Sequence, residues 1–497
     1  MVDVILVKLE PENETQGLPP PFGILYLADS LEKAGVKVKL FHKPASKTTI
    51  HKLIEDVSKE KPLFVGFSNF TTSPLNLAKK ASIEIKKKFN IPIVWGGIHS
   101  TIFPEQTLMN NFIDIIVIGE GEETIVELTN LLSKKVLHPK DLADIQGIGL
   151  KNKGRIIINE LRPFIKNLDT YSPAWHLLDI EKYIYTKQHF YTQIGSKISG
   201  EKIAAIITSR GCPWRCGYCY NQAVNKRNFR AQSVQKVIKE VQYLKKFDVS
   251  ALIFEDDNFF ASKNRALEII RNINTSWSCS IRADYIAKWG DSFVKELSEN
   301  GCFELRIGAE SGSQRILDLM KKDITVEQIK KAVELCSQYK IRTLLNFMVG
   351  IPGESWSDVC KTLDFIDELE KIGKYVTISS VAIYAPWPGA FLSELAIKKG
   401  FRPPTSLEGW SKYWAQRVKL APYSDKRIKF IGFYRVLIRK DFKNVSFPVM
   451  AKLLRRIALF RWNRRYFKFP LDYYIPAFFL RLLRKVGLTK ISRALYE

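Results

Sequence analysis

No stretch of the 497 residues reaches the run of about 18 apolar residues that a membrane-spanning helix requires. Cysteine is sparse, seven in all and none before Cys212. That excludes the disulfide framework of a small secreted scaffold and fits a reducing compartment. The opening MVDVILVKLEPEN lacks the basic start and long apolar core of a signal peptide and reads as a first strand. A cytoplasmic location is expected. There is no short-period repeat of the kind that builds solenoids or propellers. A composition of 46% hydrophobic and 26% charged residues excludes wholesale disorder, and the length suits two or three domains. Acid is what the C-terminal stretch lacks: Asp425 to Glu497 holds 19 Lys and Arg against 4 Asp and Glu, or +15 of the net +26.

What is present is alternation. Residues 1–135 interleave short β-branched runs (3–7, 36–41, 63–67, 91–96 and 113–119) with amphipathic segments such as FGILYLADSLEKAG. Strands alternating with helices of this length imply an α/β fold, a doubly wound parallel sheet of Rossmann-like type, binding ligands at the carboxyl ends of its strands. Residues 136–197 are less regular and read as a linker. From 198 to 420 six further strand–helix units (IAAIITS, ALIFED, WSCSIRA, FELRIGAE, IRTLLNFMVG and YVTISSVAIYA) predict a partial (βα)6 barrel with its site at the C-terminal mouth. Ser233 is placed to cap one helix, and Thr325 with Gln328 to form a capping box on another. Residues 421–497 read as a basic, amphipathic helical cap.

The first barrel strand runs into SRGCPWRCGYCYN, where Cys212, Cys216 and Cys219 crowd into eight residues. Tight thiolate spacing points to metal, but structural zinc needs a fourth ligand and no His or Cys lies near enough in sequence. A four-iron cluster held by three cysteines keeps one iron open to a small molecule. The remaining cysteines, Cys279, Cys302, Cys336 and Cys360, sit in apolar segments and read as small buried hydrophobes.

This C-x3-C-x2-C segment resembles the signature of the radical S-adenosylmethionine (SAM) superfamily. In that family a 4Fe-4S cluster chelates SAM through its open iron and, on reduction, cleaves it to a 5′-deoxyadenosyl radical. The resemblance continues along the barrel through FEDDNFF, SIRADY, GAESGSQRILDLMKK, FMVGIPGES and YAPWPGAFL, the last with Ala390 where the family pattern has Thr. It implies that Cys212, Cys216 and Cys219 hold the cluster. It also implies that Tyr218, Glu310, Gly350, Ile351, Pro352 and Gly353 bind SAM, with Tyr218 against the adenine. Asp256 and Asp257 read equally as substrate-orienting groups or as helix caps. A flavodoxin- or ferredoxin-type electron donor is expected.

In the first domain, GGIHSTIFPEQTL and DIIVIGEGEETIVEL resemble the cobalamin-binding domain fused to one large branch of that superfamily. The implied cobalamin contacts are Asn69, Phe70, Thr71, Thr72 and Ser73 after the third strand. Gly96, Gly97, His99, Ser100 and Thr101 follow the fourth, and Gly119, Glu120, Gly121 and Glu122 the fifth. The D-x-H-x-x-G motif that supplies a cobalt-ligating imidazole in methionine-synthase-type domains is missing. Cobalamin is therefore expected to be held by its tail and corrin ring, with His99 as a hydrogen-bonding loop residue. Radical SAM methylthiotransferases are excluded, because their first domain brings three further cluster cysteines.

The resemblance implies methylation of an unactivated carbon of a small substrate. Radical cyclisation or rearrangement without net methylation, and a cluster-bearing binding protein without catalysis, are the alternatives. The basic C-terminal region interleaves Arg and Lys with Leu, Ile, Phe and Trp over 447–470 and 475–488. It reads as a barrel cap with peripheral membrane contact, which would suit a hydrophobic substrate; a plain cap is the alternative. No nucleic-acid-binding signature is present.

Overall fold

The computed structural model describes residues 2–10, 19–44, 46–71, 74–134, 139–186, 202–416, 421–438, 448–468, 471, 472 and 474. The first sheet contains β1 (Val4–Glu10), β2 (Val38–Pro44), β3 (Phe64–Ser68), β4 (Ile93–Gly96), β5 (Ile115–Val117), β6 (Ile148–Asn152) and β7 (Arg155–Ile158). Its spatial order is β2-β1-β3-β4-β5-β6-β7, parallel through β5 and antiparallel beyond. Alternation along β1 buries both faces, as a doubly wound sheet demands. Val4 and Leu6 pack with the helices Phe22–Lys33 and Glu122–Leu132, and Ile5 and Val7 with Lys47–Glu60 and Pro74–Lys88.

The stretch 136–197, read as a linker, is in its described part structural. Its β6–β7 hairpin completes the first sheet, and Leu168, Trp175, Ile180 and Tyr183 join the barrel core. The hairpin turns through Lys153 and Gly154 at φ +47° and +79°. Two left-handed residues are what a tight hairpin requires. A lysine in the first position hid the turn signal.

The second sheet comprises β8 (Tyr185–Thr186), β9 (Lys202–Ile206), β12 (Ala251–Phe254), β13 (Ser276–Ile281), β14 (Cys302–Glu310), β15 (Arg342–Val349) and β16 (Val376–Ile383). Between β9 and β12 a small antiparallel pair, β10 (Ser209–Arg210) and β11 (Arg230–Ala231), brackets the cysteine loop. The order β16-β15-β14-β13-β12-β9-β8 gives the six expected parallel strands with β8 antiparallel at one edge. Ser233 caps its helix, and Thr325 with Gln328 forms the capping box.

The two sheets are packed into one body. Phe22, Leu25 and Tyr26 of the first domain lie in the barrel core, and Trp410 near the barrel's end hydrogen-bonds Gln106 at 2.8 Å. The helices Ile428–Ile438 and Pro448–Asn463 cover β16 and the helix Trp356–Ile372. Arg435 pairs there with Glu370, and Arg465 with Asp364 and Asp367. Among the described residues no helix is long and apolar enough to cross a membrane; residues 475–488 lie outside them.

Candidate cofactor sites

The cysteine loop is anchored before it begins. Buried Asp256, just past β12, accepts hydrogen bonds from the Thr208 amide at 3.2 Å, the Thr208 hydroxyl at 2.9 Å and the Ser209 hydroxyl. Burial lifts its pKa to about 6, against those donors. Its neighbour Asp257 accepts the Gly211 amide at 3.0 Å. These carboxylates hold the corner that leads into the loop. Gly211, at φ +80°, admits no side chain, because a Cβ would lie 2.1 Å from the Asn228 carbonyl oxygen.

Within the loop, the Asn258 amide donates to Cys212 Sγ at 3.5 Å and the Arg282 guanidinium to Cys216 Sγ at 3.6 Å. Arg282 is itself fixed by stacking on Trp214 and by donating to the Lys322 carbonyl at 2.7 Å. Burial raises the Cys212 thiol pKa and pushes Cys219 up to about 12. Metal ligation must therefore displace protons that the fold holds in place. Among the described residues no three His, Cys, Asp or Glu side chains gather as ligands of one ion. A cluster presents separate irons to separate thiolates, and sulfur-directed N–H donors tune its potential, so this donor set fits a cluster.

The residues expected to bind SAM divide into two groups. Tyr218 donates to Glu310 Oε1 at 2.9 Å, and Lys322 Nζ lies 2.8 Å from the Tyr218 hydroxyl and 3.2 Å from the same carboxylate oxygen. All three belong to the barrel mouth beside the cysteine loop. Glu310 sits at φ +65° on a β-bulge at the end of β14. Gly308 makes room for it, since a Cβ there would lie 2.2 Å from Glu310 Oε1. Lys322 ends the GAESGSQRILDLMKK segment with no role implied there; its burial is what distinguishes it from other lysines.

The second group is the loop Gly350, Ile351, Pro352 and Gly353, after β15. Its glycines have φ +81° and +97°. Glu354 holds the turn by accepting the Gly350 amide at 2.5 Å and the Ile351 amide at 3.3 Å. Burial raises the Glu354 pKa to about 7. The space beside Gly350 is filled from the C-terminal region, where Ile428 lies 2.7 Å and Ser424 3.2 Å from a built Cβ. Glu354 lies within the FMVGIPGES segment without an assigned role, and Ser424 lies outside every motif.

A cleft with about 1350 Å³ of empty space, its open mouth included, runs from the strand ends of the first sheet to the cysteine loop. The cavity proper, about 350 Å³, lies at the lower end of the roughly 300–1,000 Å³ of drug-sized sites and widens into its open mouth. Gly66, Gly96, Gly97, Gly119 and Gly121 line it together with Tyr26 of the first domain, and Tyr220 and Asp257 face it from the barrel side. A Cβ at Gly97 would meet Asn69 backbone at 2.7 Å, and one at Gly121 would meet Leu27 at 3.1 Å. This deep, glycine-walled slot fits the flat ring and long tail of a corrinoid.

The other expected cobalamin contacts take different places. His99 is fully buried, with Nδ1 3.2 Å from Thr71 Oγ1 and Nε2 without a partner. Burial drops its pKa to about 3, so the imidazole is neutral. Its neighbour Ser100 is also buried, with an unpartnered hydroxyl. Thr101 donates to the Gly97 carbonyl and accepts the Gly119 amide, each at 3.0 Å, bracing two cleft loops. Phe70 packs edge-on against Tyr220 and Trp387, 6.3 and 5.6 Å between centroids. Thr72 and Ser73 lie outside the described residues.

Glu120 and Glu122 line the cleft, but their carboxylates are already engaged. Glu120 accepts from Arg210 at 2.8 Å, Arg230 at 2.6 Å and the Ile165 amide at 2.8 Å, and Glu122 accepts from Arg210 at 2.5 Å. Burial works against the Glu120 charge, yet the two arginines hold its pKa below the ordinary range. The same carboxylates keep Arg210 charged despite its burial. Arg210 and Arg230 belong to β10 and β11, so the GEGE segment ties the first domain to both strands that bracket the cysteine loop.

Comparisons with known proteins agree with this architecture. Residues 206–366 match the radical SAM superfamily and residues 13–129 match the B12 binding domain. The chain is 30% identical to an uncharacterized methyltransferase of Pyrococcus horikoshii, over 86% of this chain and 92% of that one. It is 27% identical to the anaerobic magnesium-protoporphyrin IX monomethyl ester cyclase of Rubrivivax gelatinosus, over 76% of this chain and 66% of the cyclase. The fold follows the cobalamin-dependent SAM radical enzyme OxsB, solved with aqua-cobalamin and SAM, with a TM-score of 0.72 at 17% identity across 100% of this chain and 77% of OxsB. The radical SAM methyltransferase TsrM of Kitasatospora setae superposes with a TM-score of 0.63 at 17% identity, over 80% and 75% of the two chains. These findings define a radical SAM enzyme with a fused cobalamin-binding domain. More particularly, the chain belongs to the cobalamin-dependent radical SAM methyltransferase family, whose cofactors are a 4Fe-4S cluster, SAM and cobalamin.

Proposed function

We propose that the chain methylates an unactivated carbon of a small, hydrophobic substrate held between the first sheet's strand ends and the barrel mouth. The observation that carries this reading is the cleft shared by the two domains, which runs from the glycine slot to Tyr220 and Asp257 beside the cysteines. Cys212, Cys216 and Cys219 are the cluster ligands in this reading. Tyr218, Glu310, Lys322 and the loop Gly350 to Gly353 frame the SAM site, and the loops after β3, β4 and β5 frame cobalamin. When bound, the three cofactors supply a hydrogen-abstracting 5′-deoxyadenosyl radical and a transferable methyl group.

The chain's own part is to position and to exclude water. Glu310 and Tyr218 present a polar wall oriented by the Lys322 ammonium. Phe70, Tyr220 and Trp387 close the seam between the domains with apolar rings. A flavodoxin- or ferredoxin-type protein delivers the electron, and the enzyme works in the cytoplasm with peripheral contact to a membrane through its C-terminal region.

Anaerobic reconstitution with iron, sulfide and hydroxocobalamin, followed by a SAM-cleavage assay, tests the reading. A cluster, stoichiometric corrinoid and 5′-deoxyadenosine are expected. A cluster without cleavage would instead mark a binding protein. The relatedness to magnesium-protoporphyrin cyclases favours a second reading, ring closure without net methylation. Cleavage with no methylated product from any hydrophobic candidate would move the assignment there.

A further inference from the structure

We propose that the outward face of the helix Pro448–Asn463, together with the turn after it, docks on an anionic lipid surface. This rests on the membrane contact proposed above and is independent of the cofactor chemistry. The inward face is finished. Ala458, Trp462 and Phe467 are buried, Arg461 pairs with Asp472, and Arg465 pairs with Asp364 and Asp367 at 2.7 and 2.6 Å.

The outward face is not. Leu453 is 55% exposed, Phe460 52% and Leu471 66%. Of the eleven large apolar side chains exposed among the described residues, six lie between Leu453 and Tyr474. On the helix itself Leu453, Leu459 and Phe460 are all exposed, so the patch is denser in exposed apolar side chains than the rest of the described chain. Lys452, Arg456, Arg464 and Lys468 are interleaved with it, exposed and in no ion pair among the described residues. Arg464 instead lies over the Phe460 ring, 4.6 Å from its centroid. From 448 to 468 the chain has seven Lys and Arg and no Asp or Glu.

Charge complementarity selects an anionic occupant, and the aliphatic side chains decide which. A nucleic acid satisfies cations through its phosphates and rings through stacking, but offers nothing to Leu453 and Leu471. A lipid interface takes all three. Leucine and phenylalanine enter the acyl boundary, while Arg and Lys remain at the headgroup phosphates. The same helix packs by its other face over the barrel, so docking would bring the enzyme's body to the surface where a hydrophobic substrate resides.

The test is flotation of the full reconstituted chain with vesicles of phosphatidylcholine alone, or of phosphatidylcholine mixed with phosphatidylglycerol. Binding to the mixed vesicles only, weakening as salt is added, is expected. Replacing two cations (R456Q with R464Q) should weaken it about thirtyfold. L453E with F460E should abolish it, while the cluster and corrinoid spectra and the 5′-deoxyadenosine yield stay at the parent's level. If the glutamate variant fails to fold, the glutamine variant decides. No binding to anionic vesicles at low salt, or binding that survives both variants, overturns the proposal. So does binding to a single-stranded RNA oligomer that anionic vesicles cannot displace. SAM cleavage is measured without vesicles, so a failure of docking and a failure of the catalytic reading are separate results.

Discussion

At the barrel mouth the proposed cluster site is made of side chains that would ligate, Cys212, Cys216 and Cys219. The slot in the first domain is made of side chains that are missing, at Gly66, Gly96, Gly97, Gly119 and Gly121. The difference follows from the ligands. Iron demands particular donor atoms, and the fold supplies thiols with N–H donors aimed at two of the sulfurs. A large preassembled ring with a long tail needs room and backbone contact, and glycine supplies both. Between the two sites lies a third element, the network of Glu120, Glu122, Arg210 and Arg230, which ties the first domain to the strands that bracket the cysteine loop.

The comparison can be broken from either side. The largest effect is expected from Cys216→Ala, which should abolish the cluster's visible absorption and all SAM cleavage while leaving corrinoid retention intact. Glu120→Ala comes next. It leaves Arg210 and Arg230 short of a carboxylate in a partly dry interface, a loss of about 3–5 kcal/mol where such a pair is buried and less in proportion to its exposure. Chemical denaturation should show the destabilisation, and SAM cleavage uncoupled from methyl transfer should show the sites drifting apart.

Gly97→Ala probes the slot alone. It combines a residue forced to φ +89° with overlap onto Asn69 backbone. The cost is about 2–4 kcal/mol, seen as lost corrinoid after gel filtration with the cluster spectrum unchanged.

The smallest effect concerns acid. His99 is held neutral, its pKa lowered by burial to about 3. Its unfolded form begins to bind protons below about 6.5, so stability falls with pH by up to about 1.4 kcal/mol per unit between there and the folded value. Thermal melts from pH 7 to 5 should show this slope in the first domain, and His99→Phe should flatten it.

The degree to which these regions were legible in the sequence differs for the same physical reason. The proposed cluster ligands are local, three cysteines in one loop, and the strand–helix alternation that places them is a pattern of period and length. At Gly96, Gly97, Gly119 and Gly121 the slot was legible from the strand-end rule of a doubly wound sheet and from resemblance, while Gly66, a missing side chain within a strand, left no trace. What escaped notice is long-range. Glu120 reaches Arg210 and Arg230 across 90 and 110 residues. Lys322 looks like any surface lysine until Tyr218 and Glu310 close around it. The β6–β7 hairpin carries no turn signature because Lys153 occupies a left-handed position where asparagine or glycine announces a turn.

The central claim is that one chain carries both sites and that the slot holds cobalamin without a protein imidazole on cobalt. Electron paramagnetic resonance of the reconstituted chain with its corrinoid reduced to cob(II)alamin tests this most directly. The account predicts a bound cob(II)alamin signal that is the same in the parent chain and in His99→Phe, in a sample that also shows the reduced cluster. A nitrogen splitting that disappears in His99→Phe would contradict it, making His99 a ligand and the glycine slot an incomplete description of the site.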